Sequence, residues 1–442
     1  MAASLFDSQL YANLFKTGDV SRLFSDSAEI RAMLLVEGAL AKAQGAMGLI
    51  PEDSAAAIGR AVMEVALDPG ALTRETGRNG VPVPALVAAL REEMNAPEHA
   101  QYVHWGATSQ DIMDTGLMLR LRQAMAAVET DLKAILAQLG PMAETYAMQP
   151  IAGRTYGQIA TPTSYGAIVA GWGTPLLSLL EELATLRRSC LLVSLSGAAG
   201  TASALGHEAA DLRKRLAEGL ALTDPKRSWH SDRTPVLRIA DWFTRVSVCL
   251  GKLGNDVIGL SQSSVGEINL SSGGASSTMP QKQNPVSASA LVALAHQASA
   301  QLSALHTSAS PQHQRDGASW FGEWLSLPQI VFCAASAAQT AKGLTGEISP
   351  NTGQMDAVFE GTGATIFAEA LTFELARVMR RPEAQAAVKT LCQTAISTGR
   401  SLQDLATEAY PDLDLDPVFS AQNQLGQAPQ EARNFAEACK AL

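Results

Sequence analysis

The chain has 442 residues, 47% of them hydrophobic and 5% aromatic, with a formal net charge of −10. That length suits about two to four domains, the apolar share excludes a disordered chain, and an acidic chain without a dense basic run is a poor partner for nucleic acid. A small polyanion would be repelled at long range, but screening over about 8 Å leaves its capture to a few local cations, which the sequence must then supply.

The amino-terminal MAASLFDSQLYANLF has no basic region and no long apolar run, and no stretch of about 18 apolar residues occurs anywhere. Neither a secretory leader nor a membrane span is expected. Five scattered cysteines without C-x-x-C, and seven histidines without H-x-H or H-x-x-x-H, fit a reducing cytoplasm. They argue against a disulfide framework and against a metal.

In chain order, a mixed helical segment reaches the Pro/Gly-containing stretch Gly77–Pro84 and ends near residue 104. YVHWGATSQDIMDT, residues 102–115, follows. Thr108 and Asp111 have the spacing of a capping box, while His104 and Ser109 are left without that explanation. A helix start with spare N–H groups and hydroxyls is also a ready carboxylate site.

From Asp111 the apolar residues Leu117, Leu121, Met125, Val128, Leu132, Ile135 and Leu139 recur every three or four positions. Tyr165 to Leu186 and Ile239 to Leu260 repeat the pattern, the former with a kink expected at Pro175. Three such stripes imply a helical bundle, with apolar faces left over for other subunits. Strand signals are scarce, and no phosphate-binding glycine motif is present.

Polar clusters interrupt this apolar background. GRTYGQ (153–158) holds Arg154, Thr155, Tyr156 and Gln158, WHSDR (229–233) holds Arg233, and HQRDGASWFGEW (313–324) holds Arg315. Each arginine alone reads as a surface or ion-pair residue, but together with Lys282 they are the cations an acidic protein needs. SSGGASSTMPQKQNP, residues 271–285, has the composition of a linker, yet it runs into Met279, Lys282, Asn284 and Pro285. Pro285 suits the opening turn of a helix through Val286 and Leu291. A glycine-containing loop with Ser276, Ser277, a lysine and an asparagine has the makings of a closing active-site lid.

GASSTMPQKQNP resembles the signature loop of the fumarase/aspartase superfamily, of the form G-S-S-x-M-P-x-K-x-N-P. HWGATSQD is similar to that family's second conserved block, and GRTYGQ falls where many members have R-T-H. Within the superfamily, YVHWGATSQDI, WHSDR and EWLSLP most resemble the bacterial carboxymuconate cycloisomerase branch. Departures are Ala275 for the leading glycine, Gln281 and Gln283 for a histidine and an arginine, and Asn79 for a histidine. Trp324 stands where purine-nucleotide lyases have a phosphate-binding arginine, and Tyr156 where many members have the R-T-H histidine and the cycloisomerases a tryptophan.

The resemblance implies an all-α, three-domain fold: residues 1–104 an N-terminal helical domain, 105–345 a long-helix bundle, 346–442 a C-terminal helical domain. It also implies a homotetramer with a twenty-helix core, composite active sites, and no cofactor. Such enzymes move a proton beside a carboxylate through an aci-carboxylate dianion. By resemblance Ser276 is the proton carrier, and Lys282 and Asn284 hold the carboxylate on which charge accumulates. Thr108, Ser109, Arg154, Arg233 and Arg315 orient the other carboxylates. Thr155, Tyr156, Gln158, Ser277 and Met279 line the substrate, and His104 is a second candidate acid. Expelling a carboxylate, with a conjugate-acid pKa of about 4, needs no acid, whereas an alkylamine of about 10 does. Tyr156 therefore favours lactonisation of a carboxymuconate in aromatic catabolism over release of fumarate from an aminodicarboxylate. An inactive scaffold retaining the fold is the third reading.

Overall fold

Helix forms wherever the three-and-four spacing of apolar residues runs unbroken, and the computed structural model describes the result for residues 4–272, 274, 275, 279 and 282–442. In the amino-terminal region these helices are α1 (Asp26–Ala46), α2 (Glu52–Glu64), α3 (Pro69–Asn79), α4 (Val83–Met94) and α5 (Pro97–Ala100). The long helices follow: α6 (Ser109–Thr145), α7 (Tyr165–Cys190), α8 (Ala209–Leu220, short), α9 (Thr234–Leu260), α10 (Val286–Ser308) and α11 (Gly317–Thr345). The carboxy-terminal region contributes α12 (Thr352–Gly361), α13 (Ala368–Leu375), α14 (Arg381–Thr398), α15 (Leu402–Ala409) and α16 (Ala428–Lys440).

The expected stripes are the buried faces of the long helices. On α6 Leu121, Met125, Val128, Leu132, Ile135 and Leu139 are buried, and on α9 so are Ile239, Phe243, Val246, Leu250, Leu253 and Val257. α7 continues as one helix across Pro175, with Tyr165, Trp172, Leu176, Leu179, Leu183 and Leu186 of its stripe buried. Pro285 immediately precedes α10, and its carbonyl accepts from the Ser289 N–H at 3.0 Å. The Lys282 N–H donates to the Met279 carbonyl at 3.0 Å.

Two compact units result, each discontinuous in sequence. The first comprises Met1–Asp131, Leu179–Gly251 and Ala290–Thr340; the second comprises Leu132–Ser178, Lys252–Ser289 and Ala341–Leu442. This division by contact cuts the chain differently from the sequential boundaries at 104/105 and 345/346, because single long helices contribute to both units. In the first unit, the core joins Met33, Leu34, Leu40 and Ile58 to Leu86, Leu90, Ile112 and Leu212. The second has a core of Leu371, Leu375, Ala384 and Leu402.

Strands are short and paired in twos, as the scarcity of strand signals suggests. A hairpin joins β1 (Pro150–Thr155) to β2 (Gln158–Ser164), β3 (Ile268–Leu270) pairs with β6 (Ile348–Pro350), and β4 (Gly274–Ala275) with β5 (Gln283–Asn284). All three pairs are antiparallel. All five cysteines are free. No helix among the described residues is long and apolar enough to cross a membrane.

The hairpin hands the chain to α7 at a tight contact. The Tyr165 N–H donates to the Gln149 carbonyl at 2.9 Å, and the Gly166 N–H to the Tyr146 carbonyl at 3.0 Å. A Cβ at Gly166 would strike the Ala143 carbonyl oxygen and come within 2.8 Å of the Ala147 backbone, atoms that cannot rotate away. Gly166→Ala should therefore cost about 1–3 kcal/mol through forced backbone separation. Urea unfolding that shows an unchanged midpoint would mean the α6 and α7 backbones do not approach in this way.

Candidate active site

The first turn of α6 carries Thr108, Ser109, Gln110 and Asp111, and half of the capping box forms as the spacing predicts. The Thr108 N–H donates to Asp111 Oδ2 at 3.1 Å. The Thr108 hydroxyl is used otherwise. It accepts from Arg315 Nη2 at 3.2 Å, while Arg315 Nε donates to Gln110 Oε1 at 3.0 Å and Nη2 to the Ala198 carbonyl at 3.3 Å. Arg315 is exposed, and its three partners are all uncharged. A helix N-terminus, a hydroxyl and a solvent-facing guanidinium are together the donors that a candidate anion site needs.

Asp111 does far more than cap a helix. Its Oδ1 accepts from the Ser194 hydroxyl at 2.9 Å, the Ser196 N–H at 2.8 Å and His230 Nε2 at 2.8 Å. Its Oδ2 accepts from the Gly197 N–H at 2.9 Å besides Thr108. Burial alone would raise this carboxyl, but His230 and the Gly197 and Ser196 amides outweigh it and hold the group below the usual carboxylate range. Because a carboxylate only accepts, His230 Nε2 is the donor. Ser194, His230 and Asp111 are all but inaccessible to solvent. The trio therefore pins the 194–197 segment to α6, and no substrate reaches it as a nucleophile.

Arg233 lies one step deeper. Nη1 and Nη2 donate to the two oxygens of Asp114 at 2.9 and 3.0 Å, and Nε and Nη2 to the two oxygens of Glu323 at 2.8 and 2.7 Å. The guanidinium is 5% exposed and stacks 4.9 Å above the Trp229 ring. Its pKa is raised: burial opposes the charge, but two carboxylates more than restore it. Burial in turn pushes Glu323 up, against the pull of Arg233. Gln110 completes the cluster, donating to Asp114 at 3.1 Å and to the His230 carbonyl at 2.9 Å. A cavity of about 10 Å³, room for roughly one water, is bounded by Gln110, His230, Arg233, Arg315 and Glu323.

The structure thus separates the arginines that the sequence groups together. Arg233, expected to orient a substrate carboxylate, has both faces of its fork taken by protein carboxylates and serves the framework. Arg154, in the second unit, gives Nη1 to the fully buried Glu267 at 2.6 Å and to the Ala152 carbonyl at 3.2 Å. Arg315 alone of the three sits on the surface beside Thr108, with Ser109 half-buried next to it.

Thr155, Tyr156 and Gln158 form the exposed tip of the β1–β2 hairpin, with Thr155 opposite Gln158. Tyr156 (φ +52°) and Gly157 (φ +75°) make a two-residue turn with both residues left-handed, and the Tyr156 ring is fully exposed. In the signature loop, Lys282 and Met279 are exposed and Asn284 is half-buried opposite Gly274. Ser276 and Ser277 lie outside the described residues. His104, at φ +63°, gives Nδ1 to Glu37 Oε1 at 2.6 Å. No group of three or more His, Cys, Asp or Glu among the described residues could hold a metal.

Sequence reasoning missed Asp114, Ser194, His230, Glu323 and Glu37. His230 and Glu323 lay inside clusters already noted, and Asp114 stands one turn after Asp111. Ser194 and Glu37, each embedded in apolar sequence, gave no signal.

Comparison with known proteins fits this geometry. A family model described as "Lyase" matches residues 15–299. The 3-carboxy-cis,cis-muconate cycloisomerase of Pseudomonas aeruginosa is 36% identical over 95% of this chain and 94% of its own. The chain belongs to this lyase family, within the fumarase/aspartase superfamily. A crystal structure of the 3-carboxy-cis,cis-muconate lactonizing enzyme from Pseudomonas putida superposes with a TM-score of 0.91 at 32% identity, covering 98% of this chain and 99% of that one. A nitrosuccinate lyase from Streptomyces davaonensis is 33% identical over 97% of this chain and 94% of its own. In this lyase the Asp111 cluster is the framework on which half-buried Thr108 and exposed Arg315 stand.

Asp111→Asn should therefore cost several kcal/mol, at about 1–3 kcal/mol for each buried donor that the amide leaves unsatisfied. The pH sign follows from the lowered pKa. The carboxylate's contribution is present above the unfolded value of about 3.9 and is lost as pH falls through the lower folded value. Urea midpoints recorded from pH 7 down to pH 3 should fall less steeply in Asp111→Asn than in the native protein. Parallel curves would remove Asp111 from the acid response.

Proposed function

We propose that this lyase-family enzyme is a cycloisomerase of the 3-carboxy-cis,cis-muconate type, acting in aromatic catabolism in the cytoplasm. The observation that carries this reading is the hairpin tip, where an exposed tyrosine stands in place of the superfamily's histidine acid. In lactonisation the substrate's own carboxylate oxygen bonds to an alkene carbon, and the electron pair moves to the carbon beside a second carboxylate. The resulting aci-carboxylate dianion takes up one proton. No leaving group has to be protonated at any stage. The relatives of the same name and the matching lactonizing-enzyme fold support this assignment.

Thr108, Ser109 and Arg315 would hold one carboxylate at the start of α6. Lys282 and Asn284, on a loop from another copy of the chain, would hold the carboxylate that accumulates charge, with Ser276 as the proton donor. Thr155, Tyr156 and Gln158 would enter from a further copy, along with Ser277 and Met279 at the substrate's edge. The three sequential segments 1–104, 105–345 and 346–442 would act as the domains of that assembly. A second reading, a C–N lyase, draws on the 33% identity to the nitrosuccinate lyase.

Loss of diene absorbance from 3-carboxy-cis,cis-muconate without appearance of fumarate is the expected outcome. Fumarate released from nitrosuccinate or an aminodicarboxylate, with the muconate untouched, would overturn the proposal in favour of the second reading. Ser276→Ala should cut kcat by about three to four powers of ten with little change in KM, and Ser277→Ala should stay active. The reverse ranking would move the proton to Ser277.

Apolar side chains that the chain leaves uncovered support a homotetramer. Phe321 (42% exposed) and Leu325 (76%) lie one turn apart on α11, and Val248 (46%) is exposed on α9. Apolar side chains aligned on bundle helices are surfaces for further copies. Light scattering should give about four times the 46.4 kDa chain mass. An active monomer would exclude shared sites.

A further inference from the structure

The turn that leads into α6 is held from α1 by a contact that the proposed chemistry has not yet used. Glu37 is on α1 between buried Val36 and Leu40, and its side chain is 1% exposed. Its Oε1 is 2.6 Å from His104 Nδ1, and its Oε2 is buried with no hydrogen-bond partner among the described residues. The histidine's backbone is fixed on both sides. Arg91 Nη2 donates to the Val103 carbonyl at 2.9 Å, and Gln44 Nε2, also from α1, donates to the Trp105 carbonyl at 2.7 Å. Left-handed φ values at His104 (+63°) and Gly106 (+75°) turn the chain sharply here.

Packing alone does not call for a carboxylate at this position. A buried carboxylate with one partner carries a desolvation cost that an apolar side chain of equal size would avoid. What Glu37 supplies is orientation. A carboxylate accepts only, so it requires a proton on the facing nitrogen, and in the neutral ring that leaves the lone pair on Nε2. His104 retains 19% side-chain exposure, and Nε2 makes no hydrogen bond among the described residues. Four residues further along the same segment is Thr108, at the anion site.

We propose that Glu37 is a positioning residue, which locks His104 as the Nδ1–H tautomer and presents a bare Nε2 that takes a proton from solvent and feeds it into the path ending at the dianion of the substrate held at the start of α6. The catalytic part of this inference rests on the cycloisomerase reading; the tautomer does not. The arrangement is that of a base oriented by a third group, reached here with a glutamate from a different helix.

Two measurements test it. Magic-angle-spinning NMR of the full-length protein with ring-¹⁵N histidine, with His104→Gln used to identify the resonance, should show the neutral His104 ring protonated at Nδ1. Protonation at Nε2 would overturn the proposal without any variant at position 37 and without turnover. In the second, Glu37→Gln should lower kcat about tenfold, a fraction of the roughly 10²–10⁴ that a positioned acid–base group supplies, with KM within about twofold. Added to His104→Gln, it should cause no further loss, because both changes remove one unit. Losses that multiply in the double variant would make Glu37 a fold residue only. If 3-carboxy-cis,cis-muconate is not turned over at all, the function falls, and the NMR result still decides the tautomer.

Discussion

Everything at the start of α6 depends on one fully buried carboxylate being completely satisfied. Asp111 collects donors from its own helix turn, from the 194–197 segment and from His230, four positions before α9 begins. A charge taken out of water is tolerated only when each oxygen is filled, so those segments have one mutual arrangement and no slack. Arg233 repeats the logic a turn deeper, with Asp114 and Glu323 on its two sides. Two carboxylates against one guanidinium is an excess of negative charge, and the upward push on Glu323 by burial is the direction that relieves it. The result is a platform from which Arg315 reaches solvent beside half-buried Thr108.

How a net charge of −10 coexists with an anionic substrate follows from how the cations are distributed. Two arginines neutralise carboxylates inside the protein: buried Arg233 pairs with two of them, and half-buried Arg154 with the buried Glu267. Arg315 and Lys282 are exposed, and among the described residues neither has a carboxylate partner. On the proposed reading these two cations supply the local positive potential without changing the overall charge, and screening confines its reach to the neighbourhood of each.

Much of the helical architecture was legible because periodicity and capping are local. The α6, α7 and α9 stripes, the Thr108–Asp111 cap and the opening of α10 after Pro285 each depend on residues within a turn or two of one another. The roles of the arginines were not legible in this way. Whether Arg233 faces a substrate or Glu323 is decided by a residue 90 positions away. Ser194 and Glu37 were silent for the same reason: a polar residue inside an apolar run has no signature until its partner, 83 or 67 positions distant, is beside it. Resemblance pointed to the conserved blocks, and geometry then separated framework from reactive surface.

The hairpin tip has an evolutionary consequence. Tyr156 is fully exposed, so exchanging it would forfeit no packing, and its left-handed φ excludes mainly β-branched replacements while readily accepting histidine or asparagine. The Asp111 and Arg233 clusters, by contrast, tolerate almost no change. On the proposed reading, a fold built this way can vary the group that meets the departing atom by single substitutions at low thermodynamic risk, while the buried framework beneath Thr108 and Arg315 stays fixed. Diversification of reaction type within such a lineage then requires few steps, and those steps concentrate at the least constrained point of the molecule.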